Sequence, residues 1–327
     1  MKLVGMNIEL TTACPLRCPQ CYCSLEGGKH IPLETAKKYL HQAKALGLQH
    51  VELSGGETLC YPHLYELISE AHTLEIETNI AISGWGFTET VLNQLMEAGL
   101  DNIYVSLNGP TEEINRLSRD GYTYSIAALE LLKKKNFRNV YINWVMHRNV
   151  ADYLPDMLTL AKKYDVKTVV VMAPKPTSKH ELNTLPTLEQ MEQVVKILRS
   201  SPEGTLGIES CFSPMLAIAC DTKLFGNLNV GPYKGCCAGR SMLSVSVDGL
   251  LSPCRHLEHY EKWDSLQDYW EKSPVLNIIR SLEAGKREPC LSCRFSDYCR
   301  PCLAVNSKLN GDLYIGHASC PVALSSN

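Results

Sequence analysis

Three thiols stand within eight residues near the start of the chain, Cys14-Pro15-Leu16-Arg17-Cys18-Pro19-Gln20-Cys21. Thiolates this close can each take one iron of a four-iron cluster. The fourth iron is then left without a protein ligand and can bind a small molecule. The same loop could serve zinc, but zinc needs a fourth ligand to close its tetrahedron. Cys23, only two residues past Cys21, is the thiol on offer for that.

A second set of thiols fills the C-terminal part. Eleven residues part Cys237 from Gly249, and four more part Gly249 from Cys254. Then come Cys290-x2-Cys293-x5-Cys299-x2-Cys302 and a last Cys320. A zinc ribbon parts its Cys-x2-Cys pairs by about 15–20 residues, so the five-residue gap here does not fit that layout. An unusual zinc site or an iron–sulfur cluster could use such a set. Cys23 and Cys60 read as small hydrophobes. Cys211 and Cys220 read as ligands, hydrogen-atom donors or core residues. The ten histidines show no ligand spacing. His256 reads as a surface residue, and Trp144 as core.

Positioning these thiols requires a scaffold, and the pattern supplies one. Strand-like runs, Met6–Leu10, His50–Leu53, Ile76–Ile82, Asn102–Leu107, Val140–Val145 and Lys167–Met172, alternate with helical patterns. The helices are Leu33–Ala45, Leu64–His72, Glu89–Glu97, Ser125–Lys134, Leu154–Lys163 and Leu188–Leu198. In the first, Leu33, Ala36, Leu40 and Ala43 recur at helical spacing and make one apolar stripe. Six βα units in series imply a parallel sheet with crossover helices. An open partial barrel and a doubly wound sheet both satisfy this. The three-thiol loop follows the first strand, at the carboxyl end where such folds build their sites. After residue 203 the pattern changes. Ser244–Val247, Asp248-Gly249 and Leu250-Leu251 predict a hairpin with a type I′ turn, and a helix is expected over Ser265–Ala284.

The motifs together resemble the radical S-adenosylmethionine (SAM) superfamily. Cys-x3-Cys-x2-Cys after strand one is similar to its signature. Ser54-Gly55-Gly56-Glu57 after strand two resembles its GGE motif, which contacts the SAM amino group. Glycines allow close backbone approach, and a carboxylate accepts from an ammonium. Thr78-Asn79 is read as ending strand three. Ser106-Leu107-Asn108-Gly109-Pro110, with Arg119 beyond, resembles the segment whose serine and arginine approach SAM's polar groups. Asn108 stands where aspartate is usual. Gln20 stands where an aromatic residue is common before the third cysteine, and Tyr22 follows the cluster. The resemblance implies a partial (β/α)6 TIM-like barrel over residues 1–203, with Cys14, Cys18 and Cys21 as cluster ligands. It implies Gly55, Gly56, Glu57, Asn79, Ser106 and Arg119 as the SAM-binding residues.

The C-terminal cysteines resemble the SPASM domain of radical SAM maturases, which implies a small cysteine-rich β-hairpin/helix domain over residues 204–327. That layout implies an inner auxiliary cluster on Cys237, Cys254 and Cys302, and an outer one on Cys290, Cys293, Cys299 and Cys320. Three [4Fe-4S] clusters are therefore expected. The spacing of two residues before Cys302 departs from the usual three. The fourth inner ligand is open among Cys211, Cys220, Cys236 and the substrate.

The resemblance implies a 5′-deoxyadenosyl radical that takes a hydrogen atom from a peptide or protein residue, giving an oxidative modification or crosslink. Three alternatives stand beside it: a small-metabolite substrate, an epimerase with a cysteine donor, or a non-catalytic iron–sulfur carrier. Sulfatase maturation is disfavoured, because that subgroup has an acidic residue where Arg255 stands. A reductant such as flavodoxin or ferredoxin is implied. The chain begins close to its first strand, so an extra N-terminal recognition domain is not expected. A leader would dock on the barrel or on a separate protein. The net charge of -3 offers no footprint for nucleic acid or anionic membrane. With no long apolar run and no signal-like start, a cytoplasmic location is expected.

Overall fold

The computed structural model describes residues 1–23, 25, 27–176, 179–212, 235–281, 286–288, 290–293, 296, 299–313 and 320. β1 (Gly5–Thr11) is buried on both faces, as a strand in a helix-covered parallel sheet must be. α1 (Leu33–Ala45) then buries Ala36, Tyr39, Leu40 and Ala43, one face at i, i+3, i+4 and i+7. The unit repeats through β2 (His50–Gly55), α2 (Leu64–Thr73), β3 (Glu77–Ile82), α3 (Glu89–Glu97) and β4 (Asn102–Ser106). It continues through the short α4 (Glu112–Asn115), α5 (Tyr122–Lys134), β5 (Val140–Val145), α6 (Leu154–Lys163), β6 (Thr168–Met172) and α7 (Leu188–Ser200). Thr187 starts α7 with a capping box, exchanging hydrogen bonds with Gln190.

All six expected βα units are present, and the sheet runs further than they do. β7 (Leu206–Ile208) adds to β6, while β8 (Met242–Val245) pairs parallel with β1 at the other end. β9 (Leu251–Ser252) closes an antiparallel hairpin on β8. The strand order is β7-β6-β5-β4-β3-β2-β1-β8-β9, an open, partial barrel. The C-terminal hairpin therefore belongs to the barrel's own sheet.

Two local expectations are corrected. The β8–β9 connection is a three-residue loop, Val247–Gly249, closed by Ser246 N–H to Leu250 O and Gly249 N–H to Ser246 O, both 2.8 Å. Only Gly249 takes a positive φ (74°). A type I′ turn would need Asp248 there as well. The single helix expected over Ser265–Ala284 is two, α8 (Leu266–Lys272) and α9 (Pro274–Arg280). Pro274 lacks the N–H to continue the first, and Ser273 caps the second by accepting from Leu276 N–H. α10 (Leu303–Asn310) follows Cys302 directly. No helix among the described residues is long and apolar enough to cross a membrane.

Candidate active site

A cavity of about 830 Å³ opens at the carboxyl ends of the strands. Cys14, Cys18 and Cys21 line it, together with Gly55, Gly56, Glu57, Asn79, Ser106 and Arg119. Every residue expected to serve the first cluster and SAM therefore faces one space. Cys254 and Arg255 from the hairpin region line the same space.

The cysteine loop is pinned at several points. Arg17 donates through Nη1 to the carbonyls of Cys14 and Leu16, both at 2.7 Å. Its backbone N–H reaches Asp120 at 3.1 Å. Cys21 N–H closes a turn on Cys18 O at 3.0 Å. The Cys23 thiol lies 3.4 Å from Gly55 O and beside the Cys21 sulfur, which it holds down at about 7. Cys23 is thus a hydrogen-bonding neighbour of the site, where the sequence reads as a plain hydrophobe.

The two glycines of the GGE motif have a task visible in the protein itself. Gly56 N–H donates to Thr11 O at 2.7 Å, and Glu57 N–H to Ala13 O at 2.8 Å. A Cβ on Gly55 (φ 146°) would stand 2.4 Å from Thr11 O; one on Gly56 would stand 2.4 Å from Ala13 O and 3.1 Å from Cys14 Cβ. The end of β2 can splice onto the cysteine loop only without side chains.

Glu57 is buried, and burial pushes its carboxyl pKa up. Ser83 opposes this: its backbone N–H donates to Oε2 at 2.8 Å and its hydroxyl donates to the same oxygen. Leu59 N–H donates to Oε1 at 3.2 Å. The Arg119 guanidinium pulls in the same direction, and its buried Nε has no hydrogen-bond partner among the described residues. Ser83 carried no motif. Its only sequence signal was a small polar residue and a glycine directly after the third strand.

Asn79 stands in the first half of β3, not at its end, and accepts from Asn102 Nδ2 at 2.8 Å. The true carboxyl end delivers Ser83 instead. Asn108, beyond β4, is fully buried and joins three elements. It accepts from Val145 N–H (3.0 Å) and donates to Gln20 Oε1 (2.7 Å) and Ser118 Oγ (2.8 Å). Trp144 is core, as read, and donates from Nε1 to the Asn108 carbonyl at 3.0 Å.

The C-terminal thiols fall into two groups. Cys211, Cys236 and Cys254 pack against a buried cluster that contains Cys302. Cys211 shares a hydrogen bond with Cys302, and that contact brings the Cys302 thiol down to about 6. Burial pushes Cys254 up to about 12. Lys175 Nζ lies 3.4 Å from Cys211 Sγ and 2.7 Å from Glu209 Oε2, a partly buried ion pair beside Cys211. Cys237 turns toward Ser210 Oγ and Gly235 O, each at 3.5 Å. In the second group, burial and then the neighbouring Cys320, Cys290 and Cys293 push the Cys299 thiol pKa up. Among the described residues no three His, Cys, Asp or Glu side chains are gathered on a single-ion site. Cys220 lies outside the described residues. His256 is in contact with the site: its ring lies 4.2 Å from that of Tyr22, over which Arg255 sits at 4.8 Å.

Comparison with known proteins follows the same lines. Residues 8–161 match the Radical SAM superfamily. A PqqA peptide cyclase from Methylobacterium sp. (strain 4-46) is 29% identical over 347 residues, covering 98% of this chain and 86% of the relative. Among solved structures, Streptococcus suis SuiB bound to S-adenosylmethionine superposes with a TM-score of 0.78 at 19% identity, over 98% of this chain and 77% of that one. The anSMEcpe enzyme with bound AdoMet and a Cp18Cys peptide gives 0.76 at 17% identity, over 98% and 94% of the two chains.

Proposed function

This chain belongs to the radical SAM superfamily through its barrel, and on that premise we propose that it cleaves SAM reductively and abstracts a hydrogen atom from a peptide. The observation that carries the reading is the shared cavity, lined by three thiols, a buried carboxylate and Arg119, whose buried Nε has no hydrogen-bond partner among the described residues. Cys14, Cys18 and Cys21 would hold the cluster. A reduced four-iron cluster there would supply one electron to the SAM sulfonium, whose C–S bond breaks to give methionine and a 5′-deoxyadenosyl radical.

The chain's own residues bind and orient. Glu57 accepts from the methionine ammonium, and the donors from Ser83 and Leu59 aim that carboxylate and offset part of the burial that raises its pKa. Arg119 is the donor for the methionine carboxylate, which matches its unmet Nε. Gly55 and Gly56 fix the cysteine loop against β2. Asn79 and Ser106 line the floor of the cavity.

A peptide substrate is supported by the PqqA peptide cyclase relative, which aligns along nearly the whole chain. Residues 204–327 form the SPASM-type part in this reading, with two auxiliary clusters. Cys237, Cys254 and Cys302 hold the inner one, and Cys211 and Cys236, packed against the cluster that contains Cys302, are the sources of a fourth thiolate. Cys290, Cys293, Cys299 and Cys320 hold the outer one. A reductant such as flavodoxin or ferredoxin delivers the electron, and a separate protein could present the leader.

The test is SAM cleavage by anaerobically reconstituted, reduced protein, with iron counted in the same sample. Wild type should form 5′-deoxyadenosine. The triple variant Cys14→Ala, Cys18→Ala, Cys21→Ala should form none and lose about four irons, one cluster's worth. A wild type that binds no SAM with its clusters intact would overturn the reading.

A further inference from the structure

Beside the C-terminal thiols stands a largely buried cation to which the SAM reading gives no task. Lys175 follows β6 and Glu209 follows β7, and the two strand ends run on together, with Glu209 N–H donating to Val171 O at 2.9 Å. The Lys175 side chain is only 11% exposed. An ammonium has three protons to donate and nothing to accept with. Here all three are engaged inside the protein, with Glu209 Oε2 at 2.7 Å, Ala173 O at 3.2 Å and Cys211 Sγ at 3.4 Å. Glu209 Oε2 takes a further bond from Ala173 N–H at 3.0 Å, which fixes the pair in place. Lys175 and Glu209 line the active cavity, but the lysine has no proton left for a substrate. Its bond to sulfur leads into the thiols instead. Cys211 is hydrogen-bonded to Cys302, and the lysine charge bears on Cys254 and Cys302 as well.

We propose that Lys175 raises the reduction potential of the inner auxiliary cluster, through its charge and its N–H···S bond, and that Glu209 tempers the rise. The inference rests on the auxiliary-cluster reading above. The donor set fits such a cluster, because Cys211, Cys236 and Cys254 pack against the buried group that contains Cys302, and soft thiolates suit iron and sulfur. Reduction adds one negative charge to a cluster. A neighbouring cation and hydrogen bonds to the sulfurs both favour that step, and burial strengthens the effect because water screens little there. A neutral side chain at 175 would fill the space and lose the bias. The bias has a use in the proposed reaction. Hydrogen abstraction leaves a carbon radical on the peptide. Closing a crosslink then joins that carbon to a second group as that group's bond to hydrogen breaks, and one proton and one electron must leave. The proton goes to water, and the electron goes to the oxidised inner cluster that Lys175 makes easier to reduce.

The experiment is a redox titration followed by electron paramagnetic resonance. It uses the full, reconstituted chain carrying Cys14→Ala, Cys18→Ala and Cys21→Ala as the parent, so that only the C-terminal clusters report. Two components are expected, and the outer cluster serves as the internal reference. Lys175→Gln should lower the midpoint of one component by about 59 mV, a tenfold change in a one-electron equilibrium. Glu209→Gln should raise the same component by a similar amount. Combining the two should bring it back toward the parent. An ion pair that only holds the fold together would leave both midpoints in place or move both components alike. Anything other than opposite shifts in one component overturns the proposal. If Lys175→Gln fails to load the inner cluster, Glu209→Gln decides alone, an upward shift supporting the proposal and any other result overturning it. If the parent holds fewer than two clusters by iron count, the auxiliary-cluster reading falls and this inference with it; if it holds two and the midpoints match across the variants, only the inference falls.

Discussion

At the scale of single residues, the site turns on how a buried carboxylate stays charged. Burial raises the Glu57 pKa, and the two donors from Ser83 offset part of that rise. Only the ionised form can take an ammonium, so SAM affinity should be present above the Glu57 pKa and fall as pH drops through it. Ser83→Ala removes the hydroxyl donor but keeps the backbone one. A hydrogen bond to a charged group contributes about 1.5–3 kcal/mol. The variant's carboxyl should therefore protonate at higher pH, and the midpoint of its SAM-binding pH profile should move upward by about one to two pH units, at about 1.4 kcal/mol per unit. Titration of SAM affinity against pH in both proteins measures this, and identical midpoints would refute it. Glu57 was legible in the sequence because it sits in a motif. Ser83 was not, because a serine after a strand is the commonest of turn residues, and only the folded chain shows which oxygen it meets. Asn79 shows a smaller error: read as ending β3, it stands three residues before that end, where it still lines the cavity, and Ser83 follows the true end.

At the scale of elements, the strands and helices followed from periodicity, but the joints between them did not. β2 and the cysteine loop touch backbone to backbone, and sequence spacing carries no record of such a contact. Gly56→Ala tests it. The added methyl meets Ala13 O at 2.4 Å and Cys14 Cβ at 3.1 Å, neither of which can swing away as a flexible side chain could. Overpacking of this kind costs about 1–3 kcal/mol, and the first part to give is the loop that carries Cys14. Gly56→Ala should load about four fewer irons, the share of the first cluster, while the C-terminal thiols still fill. Gly207→Ala, whose methyl meets the Thr168 side chain at 3.2 Å and the Val170 side chain at 3.8 Å, should load as wild type does. Full iron in Gly56→Ala would show that the loop tolerates the push. The broken helix at Ser273-Pro274 was readable in principle, since proline removes an N–H wherever it stands. The apolar pattern runs on through the break because α8 and α9 both face the core.

At the scale of the whole molecule, the change of pattern near residue 203 suggests two bodies, whereas the core ignores that boundary. Leu243, Val245, Leu251, Leu266, Tyr269, Trp270 and Leu276 belong to the same buried cluster as the barrel strands. Polar bonds cross in the same direction: Tyr39 Oη to Gly249 O at 2.8 Å, Trp270 Nε1 to Met1 O at 2.9 Å, and Val4 N–H to Ser241 O at 2.8 Å. A sequence reading divides the chain by local pattern, and these contacts join residues more than 200 positions apart. A fragment of residues 1–203 would thus lose β8 from the edge of β1 and uncover the apolar faces that Tyr269, Trp270 and Leu276 now cover. Each such side chain contributes about 1.5–3 kcal/mol by its burial, which together rivals the net stability of an ordinary domain, and a bare parallel edge strand invites pairing with other chains. The fragment should melt well below the full chain or aggregate on expression. The full chain carrying Trp85→Phe and Trp144→Phe, followed by tryptophan fluorescence from Trp263 and Trp270 and by far-ultraviolet circular dichroism from the barrel helices, should show one coincident transition. Two separated transitions would mean that the hairpin and its helices fold on their own. Coincidence would mean that the thiols of the two parts are held in one frame, so that Cys21 and Cys254 face the same cavity at a distance that unfolding alone can change.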